Sequence, residues 1–131
     1  MTCCLFHLSK PLLLMVLSKC INRFAPLTAS EPRALLPLLN VPLLDYTLEF
    51  LTTAGVQEII LFCCCFSEKI KTHVANSKWA NLIKPIVSSK CLSVGDALRE
   101  ISSLNCVRNT FILVSGDIVS NCKLGALELH K

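Results

Sequence analysis

Hydrophobic residues along the chain alternate between short continuous runs and segments with helical spacing. Leu12 to Leu17 and Ile59 to Cys65 are continuous apolar runs of strand length, a pattern typical of strands buried on both faces of a sheet. Pro85 to Val87 and Phe111 to Val114 predict two more strands. Because segments with helical spacing separate these runs, the pattern predicts a three-layer α/β fold around a mostly parallel sheet.

The first helical segment follows Pro42, a residue suited to the first turn of a helix. Leu44, Leu48 and Leu51 recur at i, i+4 and i+7 on one face, and Gly55 supplies the stop. Three further helices are predicted from capping residues that precede apolar positions. The first of these is capped by Ser67, with Ile70 and Val74 facing inward and Trp79 at its end. The second is capped by Ser93, with Ala97, Leu98, Ile101 and Leu104 on one face. The third is capped by Ser120 or Asn121 and carries Leu124 and Leu127.

Composition and charge exclude several classes of function. Thirteen Lys and Arg against nine Asp and Glu give a net charge of +4, without a basic run that could follow a phosphate backbone, so we expect no direct nucleic-acid partner. The apolar runs Pro11 to Ser18 and Ile59 to Phe66 are shorter than the ~18 residues of a membrane-spanning helix, so we expect no membrane contact. Lys10 and Pro11 interrupt the apolar N-terminus, which argues against a secretory signal.

Nine cysteines are many for 131 residues, and three of them, Cys63, Cys64 and Cys65, are adjacent. No Cys-x-x-Cys pair and no histidine at zinc-ligand spacing accompanies them. In an apolar strand they act as small buried hydrophobic residues. We therefore expect reduced core thiols in a cytosolic protein, in preference to a metal site or a disulfide framework.

Residues 18–40 join the first strand to the first helix without helical periodicity, and they contain Pro26, Pro32 and Pro37. We expect a long loop of the kind that carries function. In open α/β sheets, ligands bind beyond the carboxyl ends of the strands. This loop and the loop after Val114 are therefore the expected place of a site.

Both loops carry residues that could serve phosphate chemistry. Lys19, Arg23 and Arg33 could neutralise phosphate, and Asp117 at a strand end could hold a divalent cation. The alternative is that the cations are ordinary loop charges and that Asp117 binds amides of its own turn. The sequence favours the alternative, because no glycine occurs between Leu17 and Pro26, and a loop that cradles phosphate needs glycine for close backbone approach.

Carboxylates and histidines elsewhere are weaker candidates. Asp45 and Glu49 share a helix face at i, i+4, where a solvated surface is the expected role. His7, His73 and His130 lie in separate segments without a nucleophile motif. We therefore expect no catalytic residue.

Residues 24–46, which include Pro32-Arg33-Ala34-Leu35-Leu36-Pro37-Leu38, resemble the opening signature of sugar-phosphate nucleotidyltransferases, which implies their Rossmann-like fold. In active members a strand leads into a Gly-Gly-x-Gly-Thr-Arg loop, and a Pro-Lys pair follows. The matching positions here are residues 18–23, Ser-Lys-Cys-Ile-Asn-Arg, and Pro32-Arg33, so the glycines are absent and an arginine replaces the lysine. The resemblance implies a degenerate nucleotide pocket, with no catalytic residue, at Ser18, Lys19, Arg23, Arg33 and Asp117.

Within that family, the chain resembles the epsilon subunits of eukaryotic translation initiation factor 2B. Asp45-Tyr46-Thr47-Leu48-Glu49-Phe50-Leu51 and Ser77-Lys78-Trp79 carry this resemblance. It implies a cytosolic, non-enzymatic scaffold segment of the complex that exchanges guanine nucleotide on translation initiation factor 2. Its partners would be other subunits, chiefly gamma, and indirectly translation initiation factor 2, without cofactor or metal. The exchange reaction belongs to a C-terminal helical domain of that family.

The same resemblance divides the chain into residues 1–10, an N-terminal extension, and residues 11–131, a partial nucleotidyltransferase-like domain that is incomplete at its C-terminal end. The main alternative is an active, magnesium-dependent sugar-phosphate nucleotidyltransferase (an NDP-sugar pyrophosphorylase), with Asp117 binding the metal and Arg33 contacting phosphate. The absent glycines and the missing sugar-side half of the domain argue against it. A Rossmann-like dinucleotide domain is disfavoured because residues 17–27 lack the glycine fingerprint.

Overall fold

A computed structural model describes residues 25–90, 93–107 and 111–122 in full, and residues 12–17 at the level of the backbone. Two 3-10 turns, Leu27–Ala29 and Arg33–Leu35, lie between the first two strands. The described residues form six strands, β1 (Leu12–Leu17), β2 (Pro37–Leu38), β3 (Val41–Pro42), β4 (Glu58–Cys63), β5 (Ile83–Val87) and β6 (Phe111–Ser115). They also form three helices, α1 (Leu43–Thr53), α2 (Ser67–Ala75) and α3 (Val94–Ser103).

Four of these strands form one parallel sheet, which confirms the predicted parallel arrangement, and their order is β5-β4-β1-β6. The chain proceeds from β1 to β4 and β5 on one side, and then crosses to place β6 on the other side of β1. The strand order therefore reverses between β1 and β6, which is the position where ligands of open α/β sheets bind. Strands β2 and β3 form a separate antiparallel hairpin.

The core lies on both faces of β4, because successive residues of a strand point to opposite faces. Ile59, Leu61 and Cys63 pack with buried residues of α1 and α2 on one face. Ile60 and Phe62 pack with α3 on the other face. The predicted three-layer α/β architecture is thereby confirmed.

The helix boundaries follow local sequence signals. Helix α1 buries Leu44, Leu48 and Leu51 as predicted, and the chain leaves it at Gly55, whose φ of 85° is a left-handed conformation that glycine adopts without strain. At the start of α3, the Ser93 hydroxyl accepts a hydrogen bond from the Asp96 amide at 3.1 Å, which confirms the predicted cap.

Several details of the predicted helices are wrong. Ser67 is the first residue of α2 and does not cap it, because Phe66 occupies the cap position at φ 53°. Helix α2 ends at Ala75, and Trp79 enters the core from the following turn. Leu104 is 53% exposed, because the chain leaves α3 there. The predicted last helix, with Leu124 and Leu127, lies outside the described residues, as does the extension at residues 1–10.

The cysteine prediction needs a correction as well. Strand β4 ends at Cys63, so Cys64 and Cys65 lie in a bend, half-buried, and do not alternate across the sheet. Cys65 is disulfide-bonded, and the expectation of reduced thiols throughout is wrong at this residue. The other described cysteines are reduced: Cys63, Cys64, Cys106 and Cys122. Among the described helices, none has the length and apolar character needed to cross a membrane.

Candidate functional site

The candidate site lies where the strand order reverses, at the carboxyl ends of β1 and β6. Two of the five predicted site residues are in the described part of the chain, Arg33 in the second 3-10 turn and Asp117 in the turn after β6. The other three, Ser18, Lys19 and Arg23, lie outside it. The prediction of a pocket at this edge can therefore be compared with the structure at Arg33 and Asp117.

Arg33 and Asp117 contact each other directly. Arg33 Nε lies 2.5 Å from Asp117 Oδ2, which makes an ion pair. The two residues are 84 positions apart in the sequence, and the crossover of the sheet brings them together. The Asp117 side chain is 7% exposed, and that of Arg33 is 36% exposed. The carboxylate is therefore buried, whereas the Arg33 side chain remains partly exposed to solvent.

The second oxygen of the Asp117 carboxylate is also engaged by the protein. The Ser115 hydroxyl, at the end of β6, donates a hydrogen bond to Asp117 Oδ1. Each carboxylate oxygen thus has a donor, and the charge is compensated by Arg33. A buried carboxylate with this set of partners is a satisfied structural group.

The loop after Asp117 is attached to the start of α1. Thr47 Oγ1 donates to the Ile118 carbonyl oxygen at 2.7 Å, and it lies 3.2 Å from the Leu43 carbonyl within its own helix. Thr47 is fully buried, although it is polar, because its hydroxyl has these partners. The two loops that border the site are therefore joined to each other by Arg33 and Asp117, and to helix α1 by Thr47.

This arrangement does not fit a bound divalent metal. Magnesium is usually held through carboxylate oxygens that remain accessible to it and to a phosphate. Both oxygens of Asp117 already bind side chains of the protein. Among the described residues, no three His, Cys, Asp or Glu side chains form a group that could hold a metal ion.

Sequence reasoning missed two side-chain contacts, a hydrogen bond and an ion pair, that join α1 to α2 and to the turn after α2. Asp45 and Glu49, predicted to be solvated, pair with residues of α2 and the turn after it. His73 Nε2 lies 2.6 Å from Asp45 Oδ1, and Lys78 Nζ lies 2.6 Å from Glu49 Oε2. The prediction of a solvated surface position is wrong for Asp45, which is 21% exposed. Glu49 is 57% exposed and remains in contact with solvent. No sequence signal links these positions, because strand β4 separates the two helices along the chain.

Comparison with known proteins identifies the family of this fold. The model of the nucleotidyl transferase family matches residues 21–130. The chain belongs to the nucleotidyl transferase family. The solved structure of HddC from Yersinia pseudotuberculosis, complexed with GMP-PN, superimposes on this nucleotidyl transferase chain with a TM-score of 0.79, over 92% of this chain and 53% of HddC. Their sequence identity is 19%, so this likeness concerns the fold alone.

Two relatives from eukaryotes are more similar in sequence. The epsilon subunit of translation initiation factor eIF2B from Schizosaccharomyces pombe is 51% identical over 125 residues, which are 89% of this chain and 18% of that protein. The same subunit from Dictyostelium discoideum is 47% identical over 115 residues, 84% of this chain and 16% of that protein. The resemblance to epsilon subunits is confirmed, and the chain spans less than a fifth of the length of these relatives.

Proposed function

We propose that this nucleotidyl transferase domain is a non-catalytic assembly domain of a translation initiation factor 2B complex, at the place of the epsilon subunit. The observation that carries the proposal is the ion pair of Arg33 with Asp117. In this pair the carboxylate that could bind a metal and the guanidinium that could bind phosphate are bound to each other. The 47% and 51% identity to epsilon subunits supports the same assignment.

Nucleotidyl transfer needs cations that neutralise the triphosphate, a carboxylate that holds the metal, and backbone amides close to the phosphates. In this chain the carboxylate of Asp117 is buried and already paired with Arg33. Releasing Asp117 from Arg33 would leave a carboxylate that is only 7% exposed without this cation, which is costly. The absence of glycine in residues 18–25 opposes close approach of phosphate as well.

The domain would therefore act through contact with other subunits, chiefly the gamma subunit, in the cytosol. Exchange of guanine nucleotide on translation initiation factor 2 would be catalysed by another domain of the parent subunit, and this domain would help to position it. Neither cofactor nor metal takes part in this role, and contact with translation initiation factor 2 would be indirect.

The test is co-expression of the 131-residue chain with the gamma subunit, followed by affinity purification and size-exclusion chromatography. We expect one complex with equal amounts of the two chains. The control is Leu48→Asp, which places a charge at a core position that is fully buried, and which should abolish folding and complex formation together. A wild-type chain that is folded by circular dichroism and yet elutes apart from gamma would contradict the proposal.

Because the chain belongs to the nucleotidyl transferase family, a second candidate function is that of a magnesium-dependent sugar-phosphate nucleotidyltransferase. For that reaction, Arg33 would have to turn away from Asp117, so that the carboxylate could bind metal and the guanidinium could bind phosphate. Binding of a nucleoside triphosphate distinguishes the two candidates, because only the enzyme requires it.

A further inference from the structure

The bend between β4 and α2 contains a disulfide-bonded cysteine, Cys65. Its neighbours in the sequence, Cys63 and Cys64, are both reduced, as are Cys106 and Cys122. Because the chain has nine cysteines, the partner of Cys65 is one of the four that lie outside the described residues. These are Cys3, Cys4, Cys20 and Cys91.

The bend lies at the carboxyl edge of the sheet, between the two strands that flank β4. Cys63, the last residue of β4, is in register with Leu17 of β1 and with Val87 of β5. Two of the four possible partners, Cys20 and Cys91, follow these strands by three and four positions in the sequence. The disulfide thus ties another part of the chain to the edge at which the candidate site lies.

The start of α2 depends on the same bend. Phe66 has a φ of 53°, a left-handed conformation that is disfavoured for a bulky residue, and no side chain caps the helix at this position. The Ile70 amide donates to the Phe66 carbonyl at 3.2 Å. A covalent link at Cys65, one residue earlier, restricts the bend and helps to hold Phe66 in a conformation that its side chain opposes.

Helix α2 in turn holds the loop that carries Arg33. Lys69 Nζ, in the first turn of α2, donates to the Ser30 carbonyl at 2.7 Å and lies 2.5 Å from Glu31 Oε1. Arg33 follows Glu31 by two positions and pairs with Asp117. Loosening the start of α2 would therefore loosen the loop on which the Arg33 side chain depends.

Resting on the proposed cytosolic role, we infer that the Cys65 disulfide is a redox switch that glutathione opens and closes. Cytosolic disulfides are rare because glutathione keeps thiols reduced, and those that form are usually transient, with a catalytic or redox-sensing role. Cys65 is only half-buried, so a small thiol can approach it. Cys63 is fully buried, and burial raises its pKa to about 12, so it does not compete for the pairing.

Opening of the switch is a thiol–disulfide exchange with two molecules of glutathione. The first glutathione thiolate attacks one sulfur of the disulfide, which breaks the S–S bond, forms a mixed disulfide and releases one protein thiolate. The second attacks the glutathione sulfur of the mixed disulfide and releases the other protein thiolate together with oxidised glutathione. The protein gains the two electrons and two protons that the two glutathione thiols lose, and oxidised glutathione reverses the exchange.

The experiment equilibrates the purified 131-residue chain with reduced or with oxidised glutathione, blocks free thiols with N-ethylmaleimide and maps the disulfide by peptide mass spectrometry. We expect the Cys65 disulfide in oxidised glutathione and two thiols in reduced glutathione. Reduction should lower the melting temperature by about 5 °C or more and speed hydrogen exchange of the Ile70 amide. Cys65→Ser should melt alike in both buffers, whereas the matched control Cys64→Ser, at the adjacent reduced thiol, should keep the difference.

The outcomes separate the switch from the proposed function. A Cys65 disulfide that persists in excess reduced glutathione would be a permanent link and would overturn the switch, as would a free Cys65 thiol in oxidised glutathione. Equal melting temperatures of the oxidised and reduced wild-type chain would also overturn it, and this comparison needs no variant to fold. None of these measurements involves gamma, so failure of the proposed function is recognised separately, as absence of gamma binding by the folded chain in either buffer.

Discussion

At the scale of single residues, Arg33 and Asp117 of the candidate site form an ion pair with each other. Arg33 replaces a lysine of active nucleotidyltransferases, and its guanidinium fork reaches the Asp117 carboxylate at 2.5 Å. Ser115 satisfies the other carboxylate oxygen. Sequence reasoning expected Arg33 and Asp117 at this edge, but it did not predict that they would bind each other. This contact depends on the distance between two loops, which no local pattern contains.

Asp117→Asn tests the contribution of this ion pair to stability. Asparagine keeps the size of the side chain and loses its charge, so the ion pair with Arg33 is lost. We expect the free energy of unfolding to fall by about 1–2 kcal/mol, below the value for a fully buried pair because Arg33 is 36% exposed. Urea denaturation measures it. Glu68→Gln, at a pair whose carboxylate is 84% exposed, should change stability by less than about 0.5 kcal/mol; equal losses in both variants would contradict the account.

Cysteine reactivity tests the burial of β4. Burial, with a smaller contribution from Cys64, raises the pKa of the Cys63 thiol to about 12. The thiol form is thus favoured in the folded state, and at about pH 8 only about one Cys63 in ten thousand is a thiolate. We expect iodoacetamide to label the exposed Cys106 and Cys122 and to spare Cys63 until the protein is unfolded. Peptide mass spectrometry reads the labels, and labelling of Cys63 at the rate of Cys106 would show that β4 is not buried.

At the scale of elements, sequence reasoning succeeded where one local pattern determines the structure. Helix α1 and the cap of α3 follow from apolar spacing, Gly55 and Ser93. The β2–β3 hairpin was missed, because its turn carries Leu39 where a hairpin signal would have Asn or Gly. The contacts of α1 with α2 and with the turn after it were missed, because strand β4 separates the paired residues in the sequence.

The pairing of Asp45 with His73 should contribute to the packing of α1 on α2. Both side chains are mostly buried, with 21% and 27% exposed, at a separation of 2.6 Å. In a double-mutant cycle with Asp45→Asn and His73→Gln, we expect a coupling free energy of about 0.5–1 kcal/mol. The same cycle at Glu49 and Lys78, which are 57% and 66% exposed, should give a coupling close to zero. A larger coupling at the exposed pair would refute the assignment.

At the scale of the whole molecule, the chain keeps the fold of nucleotidyl transferases, while the two described charged residues of its predicted site, Arg33 and Asp117, bind each other. The four-stranded parallel sheet and its crossover place Arg33 and Asp117 together at the reversal of strand order, where related folds bind ligands. The apolar residues that form the strands and the helix around this edge are still present, because they determine the fold. We propose that the edge now stabilises the domain, and that the domain works by contact with other subunits.

Calorimetric titration of the 131-residue chain with ATP, GTP, CTP and UTP, each with excess magnesium, tests this claim most directly. Because Asp117 and Arg33 are paired, we predict no saturable heat for any of the four nucleotides, with wild-type and Asp117→Ala protein giving the same trace. Saturable, magnesium-dependent binding by the wild-type chain that Asp117→Ala abolishes would contradict it, and would restore the nucleotidyltransferase reaction as the function of this site.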